Sequence, residues 1–96
     1  MNKTILFAGN LTFGLEETEL RAAFAVYGEV IEARIIYRDG ISRGFGFVEM
    51  GSEDDAAKAM TALDGKILAG RTLKVGWALE GPKRLKRTAY FDRTGI

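Results

Sequence analysis

The stretch Arg43-Gly44-Phe45-Gly46-Phe47-Val48-Glu49-Met50 sets a basic residue, two phenylalanines and an acid in strict alternation with small or aliphatic residues. Side chains alternate across a strand, so with Gly44, Gly46, Val48 and Met50 turned toward a core, Phe45, Phe47 and Glu49 stand on the opposite face. Large aromatics on a solvent-facing sheet favour association, which leaves two uses for them. They are buried under another element or a partner, or they stack on unpaired bases, each good stack contributing roughly 1–3 kcal/mol. In Ile5-Leu6-Phe7-Ala8 the same alternation sends Leu6 and Ala8 inward and leaves Phe7 on the open face with Phe45 and Phe47.

Other chemistry is poorly supplied. The 96 residues hold no cysteine and no histidine, which removes disulfides, thiolate metal sites, thiol nucleophiles and imidazole acid/base catalysis. An enzyme would have to work with carboxylates, lysine or tyrosine, so no catalytic residue, metal or cofactor is assigned. The net charge is only +1, but it is unevenly placed. Residues 1–79 hold nine Lys/Arg against eleven Asp/Glu, whereas residues 80–96 hold five against two. A near-neutral domain over 1–79 with a basic tail over 80–96 is the organisation this implies. The opening apolar run Ile5–Ala8 is too short for a signal segment or a membrane span, so a soluble, intracellular protein is expected, cytoplasmic or, in a eukaryote, nuclear.

Six further segments frame the aromatic strand. Ile5–Ala8 reads as a brief strand closed by Gly9-Asn10. From Glu17 to Tyr27 the period changes: Leu20, Ala23, Phe24 and Tyr27 fall at helical spacing, with Gly28 as a stop and Glu16 where a Ser, Thr or Asp cap is usual. Val30–Tyr37 is rich in β-branched residues and turns at Arg38-Asp39-Gly40 into Gly44–Met50, a hairpin with its loop over Arg38–Ser42. Ser52 with Asp55 begins a second helix, whose stripe Ala56, Ala59, Met60, Leu63 ends at Asp64-Gly65. Lys66–Ala69 adds a short strand, and Arg71–Trp77, with Leu73 and Val75 on one face, gives the last sheet strand. The order βαββαβ is the α+β, ferredoxin-like arrangement: a four-stranded antiparallel sheet with both helices on one face and the other face open.

The octapeptide matches the motif K/R-G-F/Y-G/A-F-V-x-F/Y of the RNA recognition motif family at seven positions, with Met50 in place of the last aromatic. Met50 points inward by alternation and fills core volume there. Leu6-Phe7-Ala8-Gly9-Asn10-Leu11 resembles the family's hexapeptide, with Ala8 smaller than usual at the third position. The resemblance runs from about Thr4 to Ala78 and extends to the small stand-alone bacterial members, although the hairpin loop is shorter here.

The resemblance implies a partner, single-stranded RNA, and places Phe7, Phe45, Phe47, Arg43, Asn10, Arg34, Lys74, Glu49 and Ala78 at the interface. Phe7 and Phe47 would stack successive bases, Phe45 would pack on a sugar or base, and Arg43 would hold a phosphate. For Arg43 the plainer alternative is a solvated loop arginine. Arg34 and Lys74 face outward with Glu32 and Ile36 and either meet RNA or only water. Glu49 either accepts from base amino groups or pairs with a neighbouring cation. Backbone groups of Trp77, Ala78 and Leu79 lie where the family reads base edges, while the Trp77 ring shares the parity of Leu73 and Val75 and so belongs with packing. An RNA chaperone or post-transcriptional regulator is the corresponding family-level role.

The same residues bear on three rival readings. A protein-binding module of this fold should lack the exposed aromatics. A small phosphatase-like enzyme needs a basic phosphate loop, and Gly9–Leu15 has no basic residue. Single-stranded DNA stays open, because a phenylalanine stack does not sense the 2′-hydroxyl. Gly44-x-Gly46 is no dinucleotide fingerprint, since Glu49 replaces the third glycine, and Asn10-Leu11-Thr12 is an idle glycosylation sequon. Glu53-Asp54-Asp55 suits a helix N-terminus better than a metal. The expected state is a monomer without membrane contact, with self-association through Tyr90, Phe91 and Ile96 of the tail as the alternative.

Overall fold

A computed structural model describes residues 3–78, and the expectations placed on Leu79 and on the tail 80–96 lie outside the described residues. In chain order the elements are β1 (Ile5–Gly9), α1 (Glu17–Ala25), β2 (Val30–Arg38), β3 (Ile41–Met50), α2 (Glu53–Leu63), β4 (Ile67–Leu68), β5 (Arg71–Thr72) and β6 (Lys74–Trp77). The main sheet has the spatial order β2-β3-β1-β6 with every pair antiparallel, so the two aromatic strands occupy its centre.

Local chemistry explains the boundaries. Glu16 caps α1 in an extended conformation, and its backbone N–H donates to Glu19 Oε1 at 2.8 Å, the glutamate half of a capping box. The helix closes at Ala25, two residues before the expected Tyr27. Tyr27 and Gly28 donate instead to Phe24 and Ala25, three residues back, which tightens the last turn beyond α-helical geometry. In α2 the Ser52 hydroxyl accepts from the Asp55 N–H at 3.1 Å, and Glu53, Asp54 and Asp55 fill the first turn, where the helix dipole favours negative charge.

The β2–β3 hairpin is tighter than expected. Arg38 pairs with Ile41, leaving Asp39-Gly40 as the whole loop, and both have positive φ (54° and 79°), the type I′ geometry that matches strand twist. Residues 41–43 therefore extend β3 rather than forming loop. The expected final strand Arg71–Trp77 is broken at Leu73. The Leu73 N–H and C=O bond Lys66 and Gly65, at 2.6 and 2.8 Å, while its side chain enters the core. Arg71–Thr72 thus pairs with Ile67–Leu68 in a small hairpin, and only Lys74–Trp77 joins the main sheet.

Leu6, Ala8, Ala33, Ile35, Val48, Met50 and Val75 from the sheet meet Leu20, Phe24, Ala56, Ala59 and Leu63 from the helices in one core, which places both helices on one face. Gly46 is a requirement of this packing. A Cβ there would lie 2.3 Å from the Arg34 carbonyl oxygen and 3.0 Å from the Ile35 Cα, beside the register shift between Ile35 and Tyr37. The sheet's outer strands are met by side chains. Glu17 Oε2 accepts from the Ile35 N–H at 2.7 Å, Arg21 Nη2 donates to the Val30 carbonyl at 2.8 Å, and Asp64 Oδ1 accepts from the Val75 N–H at 2.9 Å. Among the described residues no helix is long and apolar enough to cross a membrane.

Candidate nucleic-acid interface

Phe7 lies directly across from Phe47, and Gly9 from Phe45, in the β1–β3 register. Because Gly9 has no side chain, the Phe7 ring leans over it, with Cε2 only 2.7 Å from where a Cβ would stand. That brings Phe7 beside Phe45, with centroids 5.8 Å apart and planes inclined by 30°. Phe47 meets both edge-on, at 5.8 Å and 70° to Phe7 and at 6.2 Å and 86° to Phe45, the arrangement that puts a ring's positive edge on its neighbour's negative face.

The expectation that all three rings stand open is corrected. Phe47 is 5% exposed and forms a second apolar cluster with Ile5, Ile36 and Ala78, on the face away from the helices, while Phe7 and Phe45 are half-buried against it. Ile5, Ile36 and Ala78 come from three other strands or their ends, so alternation along β3 alone could not reveal the enclosure. Phe7 and Phe45 are the accessible part of this aromatic patch.

Charge is distributed along this face in a definite sense. At one end Glu32 stands opposite Glu49, and Arg34, opposite Phe47, donates from Nη2 to Glu32 Oε2 at 2.5 Å. The Arg34 charge is thereby matched within β2, and its buried Nε has no acceptor. At the other end Lys74 stands opposite Gly9 and is exposed, and Arg43 is exposed on β3 next to Gly44. Gly44, with φ of 81°, receives the Leu11 N–H on its carbonyl at 2.8 Å and gives its own N–H to the Ser42 hydroxyl at 3.0 Å, fixing the strand at that point. Neither Lys74 nor Arg43 has an ion-pair partner among the described residues.

Two expected contacts are engaged elsewhere. The Ala78 N–H donates to the Ile5 carbonyl at 3.1 Å, so it continues the β1–β6 ladder instead of being free for a base edge. Asn10, held at φ 61°, donates from Nδ2 to the Thr72 carbonyl at 2.7 Å and accepts at Oδ1 from Arg71, tying the β4–β5 hairpin to the end of β1. Trp77 packs on the main core, in keeping with its parity. Arg71 escaped the sequence reading because its partner lies 61 residues away. A signal was present in the Asn placed directly after Gly9, since Asn tolerates left-handed backbone and offers both donor and acceptor.

Comparison with known proteins gives this arrangement a family. Residues 6–74 match the family model described as RNA recognition motif. The chain is 45% identical over 80 residues to glycine-rich RNA-binding protein 3, mitochondrial, of Arabidopsis thaliana, covering 81% of this chain but 26% of that protein. The chain thus spans about a quarter of that relative, whose organelle name offers no parallel for a cytoplasmic protein. Among solved structures, RNA Binding Protein PG1 superposes with a TM-score of 0.78 at 42% identity, covering 82% of this chain and 98% of that one. The second RRM domain of the yeast poly(U)-binding protein Pub1 superposes at 0.75 with 35% identity, covering 81% and 96%. The chain belongs to the RNA recognition motif family.

Proposed function

We propose that this domain binds single-stranded RNA on its aromatic sheet face, without a catalytic step. The observation that carries the reading is the pair of half-buried rings, Phe7 and Phe45, set side by side at 5.8 Å on the two central strands of the face that the helices leave uncovered. Bases stack on these two rings, and Phe47 braces them edge-on from beneath. Arg43 and Lys74, uncompensated at one end of the face, take phosphates, and Glu49 at the other end accepts from base amino groups. The relatives' names support RNA as the partner, one of them a poly(U)-binding protein. Two stacks at roughly 1–3 kcal/mol each and a few phosphate contacts give a dissociation constant of about micromolar order. Membership of the family suggests a role in RNA chaperoning or post-transcriptional regulation, with which such modest, salt-dependent binding is compatible.

The test is a fluorescence anisotropy titration of short RNA and matching DNA oligomers against the parent and a Phe7→Ala, Phe45→Ala variant, with thermal melts to confirm folding. The parent binds RNA, and the double variant weakens it by roughly tenfold or more. Unchanged affinity in a folded double variant removes the stacking platform, and equal affinity for DNA widens the ligand to single strands in general.

A further inference from the structure

Arg71 is exposed on the β4–β5 hairpin, yet its guanidinium is not loose. Nε and Nη2 both donate to the single oxygen Asn10 Oδ1, at 3.2 and 2.6 Å. Two of its five N–H groups are used, three remain, and the partner is neutral, so the full positive charge is left uncompensated. No carboxylate pairs with Arg71 among the described residues.

The position of that charge is informative. Asn10 follows Gly9, the residue over which the Phe7 ring lies and which stands opposite both Phe45 and Lys74. Arg71 is thus anchored one residue beyond the stacking platform, at the end of the face that carries Lys74 and Arg43, while Glu32 and Glu49 occupy the other end. Two left-handed residues are spent on the anchorage. Asn10 at φ 61° grips the Thr72 carbonyl, and Ala69 at φ 51° gives its carbonyl to the Thr12 hydroxyl at 2.8 Å. Non-glycine residues in this region cost free energy and cluster where geometry serves a site. With those two bonds and the Leu73 ladder already holding the hairpin, the guanidinium is not required as a further tie.

We propose that Arg71 is a phosphate-binding residue of the RNA interface and that Asn10 acts through it as a positioning residue, so that the RNA backbone follows the Arg43–Lys74–Arg71 end of the face. Holding the fork in place beforehand removes much of the ordering cost of a long side chain, and a guanidinium suits the paired oxygens of a phosphate. The inference rests on the RNA-binding reading above. It replaces the direct contact to RNA expected of Asn10 with an indirect one.

The experiment titrates a short labelled RNA of random sequence at several salt concentrations against the parent, Arg71→Ala, Asn10→Ala, the double variant and Phe7→Ala, with a thermal melt for each. Arg71→Ala weakens binding about fivefold to tenfold, and the slope of log K against log salt becomes shallower by about 0.7, the single-strand value for one phosphate contact. A merely structural arginine shifts the melt and leaves the slope unmoved. Asn10→Ala weakens binding in the parent but adds little in the Arg71→Ala background, because the two act as one unit. An unchanged slope in Arg71→Ala, with Phe7→Ala still weakened, overturns the role of Arg71 and leaves the interface standing. Additive losses overturn the role of Asn10. If Phe7→Ala also binds like the parent, the interface itself is wrong and the inference falls with it.

Discussion

Replacing Gly46 by alanine tests whether the second glycine of the aromatic strand serves packing rather than RNA. The added Cβ would start 2.3 Å from the Arg34 carbonyl oxygen, and the closest approach real Cβ atoms show is about 3.0 Å, so β2 must retreat by about 0.7 Å. The obstacle is backbone, which cannot rotate away. Overpacking of this kind costs about 1–3 kcal/mol, and the retreat strains a ladder hydrogen bond for about 1 kcal/mol more. Against this, losing the freedom of glycine in the unfolded chain returns about 0.4–1 kcal/mol. The net expectation is a loss of about 1–3.5 kcal/mol, which for a domain of this size lowers the melting midpoint by roughly 4–28 °C. Gly14 is the control, because nothing lies within 4 Å of its Cβ position and its φ is not positive; Gly14→Ala should gain about 0.4–1 kcal/mol. Urea denaturation followed by far-ultraviolet circular dichroism measures both. A Gly46→Ala protein within about 0.5 kcal/mol of the parent would refute the steric argument.

Two further substitutions probe the site and its support. At Gly9, alanine meets the far end of the Phe7 ring rather than backbone, so the ring swings aside: RNA affinity falls about fivefold while stability changes by less than about 1 kcal/mol, and unaltered binding would show that the ring's lean is unimportant. At Ala69, φ is 51°, where alanine is strained and asparagine is tolerated; Ala69→Asn raises stability by about 0.5–1 kcal/mol in denaturant titration, and a lowered midpoint would contradict that reading of the turn.

What the sequence made legible was local. The alternation through Phe45, Phe47 and Glu49 identified both the strand and its outward face, and Ser52 with Asp55 marked the start of α2, because each signal spans only a few residues. The Asp39-Gly40 turn was visible but its length was not, since that depends on Arg38 meeting Ile41 across the hairpin. Burial of Phe47 also eluded alternation, which reports the face a side chain points to and not what surrounds it there. The break at Leu73 followed from competition: its backbone is claimed by residues 65 and 66, a pairing that no period in 71–77 encodes. Asn10 stands in the expected motif but spends its amide on Thr72 and Arg71, partners that only the folded chain brings near.

The side chains on the outer strands limit how other molecules approach this domain. An incoming extended peptide adds to a sheet by pairing with free backbone groups along an outer strand, and here the Ile35 N–H, the Val30 carbonyl and the Val75 N–H are already bonded to Glu17, Arg21 and Asp64. Strand addition must first eject two ionised side chains on one flank and a third on the other. Recognition is thereby steered away from backbone templating at these positions and toward the faces.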